Sequence, residues 1–278
     1  MALSFELLLA ISVVAGFIGA MTGMGGGVVL VPALTFFGVD MKHAIAASMV
    51  SVIATSSGSA AAYVRDHITN LKVGMFLEMF TILGALLGAS ITLASGTGIL
   101  AVLFGIVLMA SAAMLFLMRS VERTAVVAQD RVSRWLELVG SYYDQAAHRT
   151  IEYKAVRAYL GGPLMFVAGL IAGLLGIGAG ALKVLIFDLG MGLPTKVSTT
   201  TSNLIIGVTA LAGSSVYLSA GLIDPSLAAP IMLGVVVGAL IGTKLLVRLR
   251  NSSVRWFFMA VLLLLGVEMV MRGIQGGA

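Results

Sequence analysis

Lys183 stands three residues past Gly180 in GLLGIGAGALKVLIF, a stretch from Gly173 that is otherwise apolar. On insertion scales a lysine in such surroundings costs about 2.5 to 3.5 kcal/mol, so its expected role is to face an anion or a proton path. The structural alternatives are snorkelling to the interface or pairing with Asp188. The glycines carry the rest of the chemistry. GAMTGMGGGVVLVPAL, from Gly19, holds Gly23, Gly25, Gly26 and Gly27, and the later stretch holds Gly176, Gly178 and Gly180. Glycine permits positive φ and close approach, so successive backbone N–H groups can converge on one anion. A helix restarting at Val28 or Ala181 would add the positive end of its dipole. Two such ends meeting near the middle of a membrane make an anion site without an arginine.

Hydroxyl and amide donors stand nearby in sequence. VSTTTSNLIIG, from Val197, brings Thr201, Ser202 and Asn203 to a helix start, and AASMVS, from Ala46, supplies Ser48. These four join the glycines and Lys183 as candidate substrate ligands, although some hydroxyls must simply cap a helix. Two acids in apolar runs, Glu78 and Glu268, are able to carry a proton or to pair with a base, and neither receives a role.

Other chemistries find no support. GMGGG follows no strand, is not closed by GK[ST] and lacks the acidic residue of a dinucleotide site. There is no cysteine, and His43, His67 and His148 lie far apart without metal-ligand spacing. The sixteen methionines are dispersed and read as packing filler. No cofactor, no metal and no catalytic residue are expected, and an intramembrane enzyme would need an acid-base pair that the spans do not offer.

The elements that must position these residues follow from composition. Of 278 residues 59% are hydrophobic and 10% charged, with a mean hydropathy of +1.09, which is the range of polytopic helical membrane proteins. The isoelectric point near 9.7 would suit nucleic acid, but the basic residues cluster between apolar spans, so no nucleic-acid partner is expected. Apolar runs recur at 3–37, 44–64, 73–94, 98–118, 159–189, 198–219, 227–247 and 254–271, and the first is read as retained rather than as a signal peptide. One long polar stretch, 119–157, splits them four and four. The chain is therefore read as a first transmembrane repeat over 1–118, a cytoplasmic linker over 119–157 and a second repeat over 158–278. RVSRWLELVG, from Arg131, has the makings of a surface-lying helix but is read as ordinary linker.

Placing GMGGG over GIGAG brings Gly16 over Gly169 and Gly27 over Gly180, and with one residue of slippage Ser48 over Ser202. An internal repeat follows. Small residues at helical spacing in GALLGAS and GVVVGALIG allow close helix packing in lipid. The glycines of Gly23 to Gly27 are too dense for packing alone.

Charge then tests whether the glycine-rich runs cross. If every run crosses once, Arg65, Lys72, Arg119, Arg123, Arg131, Arg134, Arg149, Lys154, Arg157 and Arg272 face Lys42, Lys196, Lys244, Arg248, Arg250 and Arg255, a bias of ten against six. If the first and fifth runs bend back at their glycines, only Lys42 and Arg272 remain opposite, a bias of fourteen against two with Lys183 intramembrane. Glycine-broken or re-entrant hairpins are therefore expected. The fold class is all-α polytopic, with two inverted helical halves, both termini outside and the central loop in the cytoplasm.

GAMTGMGGGVVLVPAL with its downstream hydroxyl cluster, and GLLGIGAGALKVLIF with LPTKVSTTTSNLIIGVTA, resemble the sulfite exporter TauE/SafE family of membrane permeases. The resemblance covers both halves, leaving aside the central loop and the termini. It implies a secondary transporter in the cytoplasmic (inner) membrane for sulfite, a sulfonate or a similar small inorganic or organosulfur anion. Members of the family are associated with export or uptake of such anions; a membrane potential negative inside favours export, expected to proceed by alternating access, with proton or sodium coupling and oligomeric state left open. An anion channel, or a permease for a different small anion, is the alternative. Leu185 stands where the first block has Pro32, and Ala179 interrupts the second glycine triplet, so the two halves need not be equivalent.

Overall fold

The computed structural model describes residues 4–22, 25–65, 68–117, 129–144, 149–246 and 251–275. Of the residues named above, Gly23, Arg119, Arg123, His67, His148, Arg248 and Arg250 lie outside them. The order is α1 (Phe5–Thr22), α2 (Gly27–Phe36), α3 (Met41–Arg65), α4 (Leu71–Ala94), α5 (Thr97–Leu117), α6 (Arg131–Trp135), β1 (Val139–Asp144), β2 (Arg149–Lys154), α7 (Ala158–Leu175) and α8 (Gly180–Leu185). A π-helical turn (Ile186–Gly190), α9 (Thr195–Ser219), α10 (Pro225–Leu246) and α11 (Asn251–Gln275) complete it. Among the described residues, five helices are long and apolar enough to cross a membrane, within α4, α5, α7, α9 and α10. The chain is a multi-pass membrane protein, helical among the described residues apart from one small hairpin.

Its helices are arranged as lipid demands. Along α4, Met75, Met79, Leu83, Leu87 and Ile91 are exposed at four-residue spacing, while the inward face holds Gly74, Glu78, Thr81, Gly84, Ala85, Gly88 and Thr92. Large apolar side chains meet hydrocarbon and small or polar ones meet protein, the reverse of a water-soluble helix.

Both glycine-rich runs break, and both breaks turn back. Gly25 has φ +80, and Gly26 comes to lie beside Ala15 of α1, so the chain folds back against α1 as α2 begins. In the second run Gly176, Gly178 and Ala179 have φ of +72, +66 and +50. Beyond them Leu182 to Leu189 run back past Ile171 to Leu164, enclosing an apolar crevice of about 380 Å³ with Met114 of α5. The return closes at the start of α7, where the Val156 N–H donates to the Met191 carbonyl at 3.0 Å. This run leaves on the side it entered.

Between the halves, α1 packs most extensively on α10, α4 on α7, α5 on α11 and α3 on α9. Gly234, Gly238 and Gly242 meet α1 at Leu9, Val13 and Phe17 in turn, so α1 and α10 are parallel. Gly84 and Gly88 meet α7 at Phe166 and Leu170, giving a second parallel pair of the same kind. By contrast Gly105 lies on Gly266 and Gly98 on Gly273, so α5 and α11 are antiparallel. Glycine serves here by letting backbones touch.

Polar contacts mark the two faces. On one, Lys42 Nζ donates to the Leu93 carbonyl at 2.8 Å and Arg272 Nη1 to the Thr35 carbonyl at 3.3 Å. There too, hydrogen bonds from Ser226 hold the Asp224 carboxyl below its usual range, with His43 nearby as a smaller contributor. On the other face stand Lys72, paired with Glu137 at 3.4 Å, and the central segment. That segment is more than linker. α6 is capped by Asp130, β1 and β2 pair antiparallel with Tyr142 opposite Ile151, and Leu138 and Tyr142 are buried in a cluster with Val73 and Leu77. Trp135 is exposed at the end of α6.

A Cβ at residue 84 would overlap the Phe166 carbonyl, whereas one at Gly96 would meet open space. Gly84→Ala is expected to destabilise by about 1 to 3 kcal/mol through overpacking, and Gly96→Ala to leave stability unchanged. Thermal unfolding in detergent measures both.

Candidate functional site

The two breaks meet inside the protein. Gly27, the first residue of α2, lies so close to the Gly176 carbonyl and to Ser48 Oγ that a Cβ would overlap both. Ser48 Oγ donates to that carbonyl at 2.6 Å, and a Cβ at Gly176 would stand 2.8 Å from the Ile45 carbonyl. Gly26, Gly27, Gly176, Gly178 and Gly180 are all buried. Neither α2, preceded by Gly26, nor α8, preceded by Ala179, has a side-chain cap on its first turn. These helix starts thus present backbone N–H groups that have no acceptor within their own helix. In α8 the first ordinary helical bond is from Lys183 N–H to the Ala179 carbonyl.

Lys183 is completely buried, and its ammonium donates to Thr209 Oγ1 of α9 at 2.6 Å. Thr209 Oγ1 in turn lies 2.8 Å from Glu78 Oε1 of α4, and Thr81 Oγ1 donates to Glu78 Oε2 at 2.6 Å. Glu78 is 3% exposed, and Thr81 and Thr209 are wholly buried. One hydroxyl therefore joins a buried cation to a buried anion drawn from three helices. Among the described residues Lys183 forms no ion pair with Asp188, whose carboxylate accepts from Thr195 at 3.0 Å.

The remaining candidates divide. Ser202 Oγ points to the Gly180 carbonyl at 3.4 Å, beside the second break. Thr201 Oγ1 accepts from the Asn70 N–H at 3.1 Å, which ties α9 to the start of α4 instead. Asn203 accepts a hydrogen bond from Ser56 at its backbone carbonyl, while its side-chain amide, on a residue 9% exposed, has no hydrogen bond among the described residues. Gly25 packs on Val52. Glu268 pairs with Arg272 at 3.0 Å. Sequence reasoning left Glu78 without a role and did not single out Thr81, Thr209 or Tyr217, whose hydroxyl donates to the Gly173 carbonyl at 2.6 Å. A carboxylate within an otherwise apolar run was the available signal for Glu78, but its partner lies on another helix of the other half.

Paired broken helices buried at the centre of an apolar bundle, with polar groups drawn from both halves, are the architecture of a membrane transporter. The comparisons agree. The family model described as Sulfite exporter TauE/SafE matches residues 8–269, and the chain belongs to that family. It is similar to "Probable membrane transporter protein YunE" of Bacillus subtilis (strain 168), 26% identical over 98% of this chain and 99% of that one. It is also similar to "Probable membrane transporter protein YdhB" of the same organism, 25% identical over 84% and 85%. No solved structure matches.

Thr209→Val keeps the shape but removes the hydroxyl between two charged groups. The expected loss is about 1.5 to 3 kcal/mol, with Thr209→Ser milder, as read by thermal unfolding. Equal stability of Thr209→Val and the parent chain would show that the hydroxyl contributes nothing.

Proposed function

We propose that this protein is a secondary transporter for a small sulfur-containing oxyanion such as sulfite or a sulfonate, and that it works in export by alternating access. The observation that carries the reading is the meeting of two buried glycine breaks whose following helices, α2 and α8, start without side-chain caps. Gly25, Gly26, Gly27, Gly178 and Gly180 supply close backbone approach there, with Gly23 as part of the same block in sequence. Lys183 supplies the positive charge, and the Asn203 amide and Ser202 hydroxyl are further donors. Ser48 and Thr201 hold the break and the helix start in the conformation described, their hydroxyls being engaged by Gly176 and Asn70.

The same-register packing of α1 on α10 and of α7 on α4 supports an inverted repeat, and hence two hairpins that rock against a shared centre. With Lys42 and Arg272 on one face and the basic central segment on the other, the positive-inside rule puts the termini outside the inner membrane and 119–157 in the cytoplasm. A potential of roughly 100 mV, negative inside, contributes about 2.3 kcal/mol per elementary charge and drives an anion outward. Uptake would require coupling to protons or sodium.

Uptake of labelled sulfite, sulfate and sulfonates into inside-out vesicles is the test, and accumulation of the sulfur anions is expected. Lys183→Met should abolish it with the protein still folded, and unchanged transport would remove Lys183 from the site. Gly25→Val and Gly178→Val place a β-branched residue at positive φ, and both should be inactive at normal expression. Tags on both termini should be reachable from outside in intact cells.

A further inference from the structure

The network around Glu78 goes further than a place for an anion, and what it implies rests on the transport reading just given. Lys183 is not free in the conformation described. Its ammonium is bonded to Thr209, which is bonded to Glu78, and Thr81 holds the other carboxylate oxygen. Every member is buried. A second negative charge brought to Lys183 would leave two anions around one cation in a medium of low polarity, where like charges repel strongly.

No other charge among the described residues is placed to relieve this. On α7 the single ionisable side chain, Tyr159, is exposed. On α9, Lys196 lies in the first turn, and Tyr217 is engaged with the Gly173 carbonyl. After α8, Asp188 accepts from Thr195, and on α4 itself Lys72 is exposed and paired with Glu137.

The arrangement is also confined to one side of the molecule. The contact of Gly16 with Val235 matches that of Gly169 with Thr81, and the contact of Gly238 with Val13 and Phe17 matches that of Gly84 with Phe166 and Leu170. In that register Met232 corresponds to Glu78 and Val235 to Thr81, and the alignment of the glycine blocks puts Leu30 opposite Lys183. The matching positions carry no charge. A pair needed only to hold the two hairpins in place would have equal use on both sides.

We propose that Glu78 is a proton-binding site coupled to the substrate: a proton taken up by its carboxylate releases Lys183 to the incoming anion, so that anion and proton bind and cross together. The proton comes from solvent onto a Glu78 oxygen, no covalent bond of the substrate changes, and both leave at the opposite face. With a singly charged anion the moving pair is electroneutral, so the potential no longer drives it and its direction follows the gradients of anion and proton. A doubly charged oxyanion with one proton still carries a net negative charge, so the potential continues to favour export.

Linkage makes the idea measurable. If one proton is taken up per anion bound, the apparent Kd falls about tenfold for each pH unit lowered while Glu78 is ionised in the empty protein. The probes are sulfite and methanesulfonate, the latter keeping its charge across mildly acidic to mildly alkaline pH. Binding to the full-length protein in detergent is measured against pH, and proteoliposomes loaded with a pH dye report internal acidification as the anion enters. The expected result for the parent chain is the tenfold slope with acidification. Glu78→Gln should show a flat slope and no acidification while still exchanging labelled for unlabelled methanesulfonate. A parent chain that binds either anion with no pH slope beyond that of the anion's own titration overturns the proposal by itself, with no variant required. A slope that persists in Glu78→Gln overturns it as well. If neither anion binds the parent chain, the transport reading falls first and this inference with it.

Discussion

A peptide group that leaves helical geometry inside hydrocarbon loses several kcal/mol unless protein or water receives its N–H and C=O. The whole architecture answers to that constraint. Gly26, Gly27 and the residues from Gly176 to Gly180 are buried, and the carbonyl released where α7 ends is taken by the Ser48 hydroxyl from the opposite half. Tyr217 and Thr92 do the same for the Gly173 and Leu174 carbonyls in the last turn before the break, at 2.6 and 2.7 Å. What borders the breaks is asymmetric. Carbonyls find donors in hydroxyl side chains, while among the described residues no side chain caps the start of α2 or α8. The positive ends of two helices left without a side-chain cap favour negative charge.

Close approach has a second use. The rows of glycine on α4 and α10 let α7 and α1 lie against them backbone to backbone, and these contacts are made between halves rather than within them. Side chains of any size would hold the broken helices away and open the breaks to lipid. The glycines of the spans and the glycines of the breaks are therefore parts of one solution, the first making the enclosure in which the second can exist. Within that enclosure the polar groups are unevenly distributed, since Lys183, Glu78, Thr81 and Thr209 form a charged cluster on one side only.

Much of this was legible in the residues. The density of Gly23 to Gly27 and the GIGAG block announced interrupted helices. The distribution of arginine and lysine favoured hairpins that return, and the contact between Val156 and Met191 shows the second of them doing so. Lys183 was conspicuous because a lone cation in an apolar run has no cheap location. Its partnership was not legible. Thr209 reads as an ordinary small residue of a spanning helix, and although Glu78 shares a face of α4 with Thr81, Gly84 and Gly88, nothing local to it says which helix that face meets. The β1–β2 hairpin also escaped, since two short strands of mixed polarity give a weak alternation beside strong helical signals.

The parallel pairing of α1 with α10 has a bearing on how the chain is made. Synthesis runs from the amino terminus, so the first hairpin enters the bilayer long before the surface that seals it has left the ribosome. Until α10 arrives, the face of α1 around Gly16 that meets Val235 lacks its final neighbour, although the helix already satisfies its own peptide groups. Assembly of this protein is thereby divided into two events, insertion early and closure late, and its amino-terminal half reaches its final packing only at the second.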